Sequence, residues 1–224
     1  MRKTLLLTCA CAVLLAGCGG AKKVATTTPA TQPANADRFG CVKVAKPSLG
    51  VRTAPKPTAF LDVNKTYDVT MTTNCGDFTI RVDPAKAPLA SASFVSLAQR
   101  GFYDNTLIHR VVPDLLIQGG DPTGTGQGGP GYLTHDLLST TTIYNKGDVG
   151  MAKTGAQMPG TAGSQFFIVD APNSGLPGGE YALIGMVVSG LNVVDHGIGL
   201  LGDPLTEQPR ETVVIEHATV KITG

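Results

Sequence analysis

The sequence predicts a mainly β protein whose antiparallel sheet closes into a barrel. Three observations favour this fold class: short segments alternate apolar and polar residues, glycine-rich turns separate them, and only two segments have helical spacing. The 224 residues include 28 glycines and 15 prolines, which are enough to end many short strands. This length suits one domain of about 150 residues with extensions, and the absence of tryptophan indicates a core of Val, Ile, Leu and Phe.

The first predicted element is a β-hairpin that opens the folded domain. Tyr67, Val69 and Met71 alternate with polar neighbours, which is the period of a half-buried strand. Residues 74–77 have the composition of a turn, and residues 78–82 are expected to form the returning strand.

A helix is predicted directly after this hairpin. Pro88 suits the first turn of a helix, and Gly101 suits its end. Between them, four apolar residues fall on one helical face: Ala90, Phe94, Leu97 and Ala98.

The remaining chain predicts further short strands and a second short helix. Strands are expected at residues 106–112, 115–118, 148–153, 165–170, 181–188 and 211–222. Leu191, Val194, Asp195 and Ile198 have helical spacing, whereas residues 134–142 have no clear period and are expected to form a loop. The pattern alone does not give the order of the strands.

Charge and histidine placement exclude two classes of function. The formal net charge is +1, and no run of Lys or Arg follows the first few residues, so no nucleic-acid partner is expected. His135, His196 and His217 lack the spacing of metal ligands, so no metal is predicted. No other cofactor is expected.

The most informative stretch covers residues 103–132. It contains His109 and the cationic Arg110, followed by an apolar run and a lone amide, Gln118. A cation beside a short apolar strand and a polar amide is typical of a cleft that binds a small ligand or a peptide. The glycine-rich loop over residues 119–131 lets the backbone turn tightly and pass close to another group.

Two blocks of sequence carry a family resemblance. The first reads IHRVVPDLLIQGGD over residues 108–121 and continues into the loop PTGTGQGGPGY, and the second reads GSQFFI over residues 163–168. Together they resemble the cyclophilin family of peptidyl-prolyl cis-trans isomerases. The resemblance implies a closed eight-stranded antiparallel barrel capped by two α-helices, with the peptide cleft on the outer surface because side chains fill the interior.

By this resemblance Arg110 is the catalytic residue. Rotation about an X–Pro bond breaks no covalent bond, so the catalyst has to bind the twisted amide better than either planar form. A fixed guanidinium that donates to the prolyl nitrogen stabilises the twisted form, and Gln118 would hold Arg110 or the substrate backbone in place. From residue type alone, the alternatives are an exposed ion pair for Arg110 and a solvated amide for Gln118.

The resemblance also assigns a set of substrate-binding residues around Arg110. They are His109, Leu115, Leu116, Gln118, Ala152, Lys153, Thr154, Gln165, Phe167, Leu176 and Tyr181. Leu115, Leu116 and Phe167 are expected to line a pocket for the proline ring. Residues 152–154 are expected to line the groove for residues before the proline, and His109 to support the rim.

Several of these residues depart from the family pattern. Leu115 and Leu116 stand where the family usually has Phe and Met, so the pocket stays apolar but loses an aromatic wall. This loss affects the expected turnover more than the class of ligand, and plain core packing is the alternative for Leu115. Lys153 replaces a usual Asn, Tyr181 replaces a frequent His, and the usual Trp is missing near Leu176.

The N-terminal residues form a targeting segment. Arg2 and Lys3 precede an apolar run over residues 5–16 that is too short to cross a bilayer. Residues 15–18, LAGC, then resemble a bacterial lipobox, which implies cleavage before Cys18 and acylation of that cysteine. The alternative is an ordinary secretory signal with a stray cysteine.

The predicted organisation follows from this segment. Residues 1–17 are a lipoprotein signal peptide, residues 18–65 an Ala/Thr/Pro-rich linker, and residues 66–224 the cyclophilin-like domain. Acyl chains would hold the protein on the cell membrane, facing outside the cytoplasm. The linker would lift the domain off the membrane, with an ordered part after Cys41 if that cysteine forms a disulfide.

Cysteine placement agrees with export. Cys9 and Cys11 fall in the segment that is removed, and Cys18 is the lipid site, which leaves Cys41 and Cys75 as a pair in an oxidising compartment. A disulfide between these two is predicted, with two free buried thiols as the alternative.

The sequence therefore predicts a membrane-anchored, monomeric peptidyl-prolyl isomerase that acts on proline-containing polypeptides outside the cytoplasm. A non-catalytic module that binds proline peptides on the same fold is the second hypothesis. A scaffold lipoprotein is the third.

Overall fold

The computed structural model describes residues 37–224, in which eight strands form a closed barrel. In order around the barrel the strands are β1 (Thr66–Thr73), β10 (Val214–Thr223), β3 (Thr106–Val112), β4 (Leu116–Asp121), β8 (Phe166–Val169), β6 (Asp148–Met151), β9 (Leu183–Ser189) and β2 (Gly76–Val82). All neighbouring strands are antiparallel. The predicted fold class is confirmed.

The first hairpin has the alternation that the sequence predicts. Tyr67, Val69 and Met71 point into the core, whereas the residues between them are partly exposed. β1 pairs with β2 on one side and with β10 on the other, so the hairpin and the last strand of the chain close the barrel.

Helix α1 (Pro88–Gln99) begins at Pro88 as predicted, but its cap comes from a distant residue. Ala87 at the N-cap has no side chain that can accept a hydrogen bond. The carboxylate of Asp136 accepts instead from the backbone N–H groups of Leu89 and Ala90, both at 2.9 Å. This carboxylate satisfies two of the free N–H groups at the helix start and complements the helix dipole.

The loop expected over residues 134–142 is only partly correct. β5 (Thr134–His135) pairs with β7 (Thr161–Ala162) in a separate two-stranded sheet. Strands of two residues are too short to show a period in the sequence.

The second helical segment lies where the spacing predicts it, but it is not a regular α-helix. Val193–Ile198 forms a π-helical turn and Gly199–Leu201 a 3-10 turn. Gly199 fits this packing because a Cβ there would clash with the carboxylate of Asp170.

Strand register separates the interior of the barrel from the face that carries the candidate site. Val111, Ile117, Ile168 and Val149 lie opposite one another on four adjacent strands and are fully buried in the interior. Because side chains alternate across a strand, their neighbours Arg110, Gln118, Phe167 and Gly150 form a second row on the outer face.

An N-terminal arm, residues 37–65, has neither helix nor strand but lies against the barrel. Its start is fixed by the disulfide that joins Cys41 to Cys75. Further along, the guanidinium of Arg52 donates to the carbonyl oxygens of Phe102 and Asp104 at 2.8 and 2.7 Å. The ordered part of the predicted linker therefore reaches well beyond Cys41.

The predicted signal peptide and the lipid site at Cys18 lie outside the described residues. From residue 37 onward, no helix has both the length and the apolar character needed to cross a bilayer.

Candidate active site

A chain of hydrogen bonds crosses the outer face of the barrel from Arg110. The guanidinium donates from Nη1 to Oε1 of Gln118 at 3.2 Å, and Nε2 of Gln118 donates to Oε1 of Gln165 at 2.9 Å. Arg110 and Gln118 are directly opposite on β3 and β4, so the first bond is a cross-strand pair. The structure thus brings these three predicted residues together.

The other end of the guanidinium binds a residue that the sequence did not indicate. Nε of Arg110 lies 2.7 Å from Oε2 of Glu207, and both side chains are partly exposed. The backbone of Glu207 is itself held, because its carbonyl accepts from Val111 N–H at 2.7 Å and its N–H donates to Asp203 O at 2.8 Å. No local motif marks Glu207, which reaches Arg110 from 97 residues along the chain.

Gln165 joins this network to the glycine loop. Its Nε2 donates to the carbonyl oxygens of Gly126 and Gly128 at 3.0 and 2.9 Å. The loop is wound around the buried carboxylate of Asp121, which accepts hydrogen bonds from Thr123, Gly126 and Gly128. Burial raises the pKa of Asp121, but these hydrogen bonds outweigh burial and lower the pKa below its ordinary value.

An apolar niche lies beside the polar row. Leu116 and Phe167 are almost fully buried there, packed with Tyr144, Val169 and Leu183. Directly under the Phe167 ring is Gly150, at which even a Cβ atom would clash with the ring. The missing side chain therefore lets Phe167 lie close over the sheet.

Tyrosine rings form one wall of the niche. Tyr181 meets Phe167 edge to face with ring centres 5.2 Å apart, and Tyr144 packs against both rings. The hydroxyl of Tyr144 donates to Tyr181 O at 2.7 Å and accepts from Tyr181 N–H at 2.9 Å. Tyr144 is a second residue that sequence analysis missed. Leu115 and Leu176 lie partly buried at the edge of the niche.

A cavity of about 680 Å³ opens beyond Gln118 and Gln165. Ala152, Lys153 and Thr154 line one side of it, and the glycine loop lines the other.

Lys153 contributes little charge to this cavity, since its side chain is only 3% exposed. The ammonium group pairs with the carboxylate of Glu180, donates to Gln157 O at 3.1 Å and lies 5.6 Å from the centre of the Tyr181 ring.

His109 occupies a β-bulge in the site. Ile108 pairs with Gly119 and Arg110 with Gln118, so His109 is the extra residue on β3. Within the described residues, neither ring nitrogen of His109 has a hydrogen-bond partner. Burial lowers the pKa of His109, so its imidazole is neutral at pH 7.

Across residues 37–224, no group of three or more His, Cys, Asp and Glu residues is arranged to hold a metal ion. The geometry instead combines a fixed cation, two oriented amides and an apolar niche on one open face.

Comparisons with known proteins agree with this geometry. The family model for cyclophilin type peptidyl-prolyl cis-trans isomerases matches residues 68–220. Peptidyl-prolyl cis-trans isomerase-like 1 of Emericella nidulans is 37% identical over 161 residues, which cover 70% of this chain and 96% of that protein. The protein of the same name from Aspergillus fumigatus is 38% identical over 160 residues, covering 68% of this chain and 94% of the relative.

A solved structure gives the same result. The crystal structure of a Cryptosporidium parvum cyclophilin type peptidyl-prolyl cis-trans isomerase matches with a TM-score of 0.61 and 31% identity, covering 70% of this chain and 98% of that one. A structure of the same protein in the presence of the dipeptide Ala-Pro matches with a TM-score of 0.59. On these grounds the chain belongs to the cyclophilin family of peptidyl-prolyl cis-trans isomerases.

Proposed function

We propose that this cyclophilin isomerises X–Pro bonds of polypeptides by holding the guanidinium of Arg110 over an apolar niche. The observation that carries the proposal is the position of Arg110, which is fixed by Glu207 at Nε and by Gln118 at Nη1. Strand register places Arg110 on the same outer face of the sheet as Leu116 and Phe167. A relative was solved in the presence of Ala-Pro, which supports a proline-containing substrate for this chain too.

The chemistry needs no covalent intermediate. The planar amide resists rotation with a barrier of roughly 18–20 kcal/mol because its C–N bond is partly double. Twisting localises a lone pair on the prolyl nitrogen, and the fixed guanidinium of Arg110 donates to that nitrogen. Since this hydrogen bond forms only when the amide twists, it lowers the barrier without tightening the ground state.

The other predicted residues have supporting roles in this proposal. Gln118 and Gln165 fix the guanidinium and the glycine loop, because each amide donates and accepts within one network. Leu116 and Phe167 receive the proline ring, with Leu115, Leu176 and Tyr181 around it. Residues 152–154 carry the substrate chain before the proline, and the neutral His109 supports the rim.

We infer that the protein works outside the cytoplasm on a lipid anchor at Cys18. The relatives named above are eukaryotic, so this inference rests on residues 2–18 and on the disulfide between Cys41 and Cys75, a bond typical of oxidising compartments. A single copy would suffice for activity, since every site residue comes from one chain.

The activity is tested by measuring both peptide binding and cis-trans exchange with the purified protein. We expect binding of a short X–Pro peptide together with acceleration of its isomerisation. Binding without any acceleration would contradict catalysis and favour the peptide-binding module of the second hypothesis.

The anchor is tested by fractionating cells that express the full chain or its Cys18→Ser variant. We expect the full chain in the membrane fraction with acyl chains on Cys18 by mass spectrometry, and the variant without them. An unmodified Cys18 in the mature protein would contradict the anchor and leave the isomerase proposal intact.

A further inference from the structure

The N-terminal arm runs along the glycine loop that borders the substrate cavity. Backbone N–H groups of Gly50 and Ala54 donate to the carbonyl oxygens of Pro122 and Pro130, each at 3.0 Å. Between these two bonds Arg52 is fixed by its two backbone carbonyl acceptors. The arm is therefore held at three successive points beside the loop.

Val51 lies between these fixed points and lines the cavity. Its backbone is held on both sides, yet the residue is 86% exposed. A rigidly presented apolar side chain at the mouth of a cavity gains contact area when a ligand enters, without further ordering of the arm.

The rest of the cavity wall is close to neutral. Pro130, Tyr132 and Leu133 lie along the loop, and Ala152 lies across from them. Lys153 is the one charged residue among the described residues of this wall, and Glu180 neutralises it. The cavity is thus suited to an uncharged side chain.

We propose that Val51 is a specificity-determining residue, and that the arm forms one wall of the peptide groove. Val51 contacts an uncharged, apolar side chain of the substrate in the second or third position before the proline. The direction follows from residues 152–154, which share the cavity with Val51 and carry the chain before the proline. Val51 lies outside residues 68–220, so the matched family segment lacks this wall.

This inference rests on the proposed isomerase function, and the test separates the two. Two series of X–Pro peptides are compared. In one series the second residue before the proline is Leu, Gly or Asp, and in the other the third residue before the proline is varied in the same way. The measured quantity is kcat/KM for each peptide with the full chain, with Val51→Ser and with Val51→Lys.

At one of the two positions, we expect Val51→Ser to lower the preference for Leu over Gly by about threefold to tenfold, since part of one apolar contact is lost. Val51→Lys should shift the preference towards Asp at that position. Val63→Ser is the matched control, because Val63 lies on the same arm and is 66% exposed but does not line the cavity. It should leave every preference unchanged.

Unchanged Leu, Gly and Asp preferences in both Val51 variants would overturn this inference. If the wild-type protein still isomerises the peptides in that case, the proposed function stands without it. A wild-type protein that accelerates the isomerisation of none of the peptides would contradict both the proposed function and this inference.

Discussion

Arg110 reaches the site with both ends of its guanidinium engaged, by Glu207 at Nε and by Gln118 at Nη1. The side chains of Arg110 and Glu207 are 39% and 44% exposed, so their ion pair adds at most about 1 kcal/mol to stability. In the proposed mechanism its larger effect is to restrict the rotamers of Arg110 before substrate arrives, because the donor then needs no reorganisation.

The role of Glu207 predicts graded effects of two substitutions. Glu207→Ala frees one end of the guanidinium, so we expect kcat to fall several-fold with little change in KM. Glu207→Gln keeps an acceptor for Nε of Arg110, so it should lower kcat less than Glu207→Ala does. Glu211→Ala, at an exposed acid near the start of β10, is the control. A kcat that rises in Glu207→Ala would show that the carboxylate restrains Arg110 instead of positioning it.

At this scale the sequence revealed the residues that belong to contiguous motifs. Arg110, Gln118 and Gln165 follow from the two blocks of family resemblance. Glu207 and Tyr144 did not, because each enters the site from an irregular segment whose path depends on the closed barrel.

At the scale of elements, one row of residues links four strands. Arg110, Gln118, Phe167 and Gly150 lie opposite one another from β3 to β6. A change at the far end of the row is therefore expected to reach the substrate pocket.

Gly150→Ala tests that link. The new methyl group would push the Phe167 ring off the sheet, so we expect KM to rise and the free energy of unfolding to fall by about 1–3 kcal/mol. Enzyme kinetics and urea denaturation measure the two effects. Gly155→Ala, where a Cβ meets no atom within 4 Å and which does not line the cavity, is the control. Unaltered KM and stability in Gly150→Ala would contradict the described packing.

The disulfide ties the arm to the first hairpin across 34 residues of chain. By the chain-entropy relation for a loop of this length, a Cys41→Ser, Cys75→Ser double variant should lose about 3–4 kcal/mol of unfolding free energy. Activity on short peptides should persist, because residues 50–54 keep their own hydrogen bonds to the loop. Equal stability of the variant and the oxidised protein would contradict this role.

Helices and strands were predicted correctly where the hydrophobic pattern is long. They were missed where tertiary contacts, and not the local sequence, determine the structure. The alternation of β1 and Pro88 at the start of α1 were sufficient signals. The paired strands β5 and β7 were missed because they are two residues long. The cap of α1 by Asp136 was missed because it spans 46 residues or more.

At the scale of the whole molecule, two buried groups give stability opposite dependences on pH. Burial lowers the pKa of His109, so the unfolded chain binds a proton first and stability falls as pH drops below about 6.5. Burial, together with a hydrogen bond that protonated Asp170 donates to the carboxylate of Asp195, raises the pKa of Asp170 from 3.8 to about 6. The free energy of unfolding that Asp170 contributes is fully present below pH 3.8, and it is lost as the pH rises through about 6.

Two charged neighbours of Asp170, Lys146 and Asp195, also affect its pKa. Lys146 Nζ lies 2.7 Å from Asp195 Oδ2 and 3.3 Å from Asp170 Oδ1. The contact with Asp170 is an ion pair that lacks the geometry of a hydrogen bond. Lys146 lowers the pKa of Asp170, but burial and Asp195 outweigh it.

We predict that Asp170→Asn steepens the loss of stability on acidification. The variant lacks the group that takes up a proton in the folded state between pH 7 and pH 5, so only the opposing groups remain. Denaturant unfolding at pH 7.5, 6 and 5 measures the slope, with the exposed Asp114→Asn as control. An identical pH slope in Asp170→Asn and the wild-type protein would contradict the raised pKa.

We propose that Arg110, fixed by Glu207 and Gln118, stabilises the twisted prolyl amide. The most direct measurement is kcat/KM for an X–Pro peptide, with peptide affinity, in the wild-type protein, Arg110→Ala and Arg81→Ala. Arg81 is a matched control because it also pairs with a carboxylate, that of Asp68, across two paired strands of the barrel. We predict a loss of about a hundredfold or more in Arg110→Ala with peptide binding largely kept, and no loss in Arg81→Ala. Activity of Arg110→Ala within threefold of the wild-type protein would contradict the account.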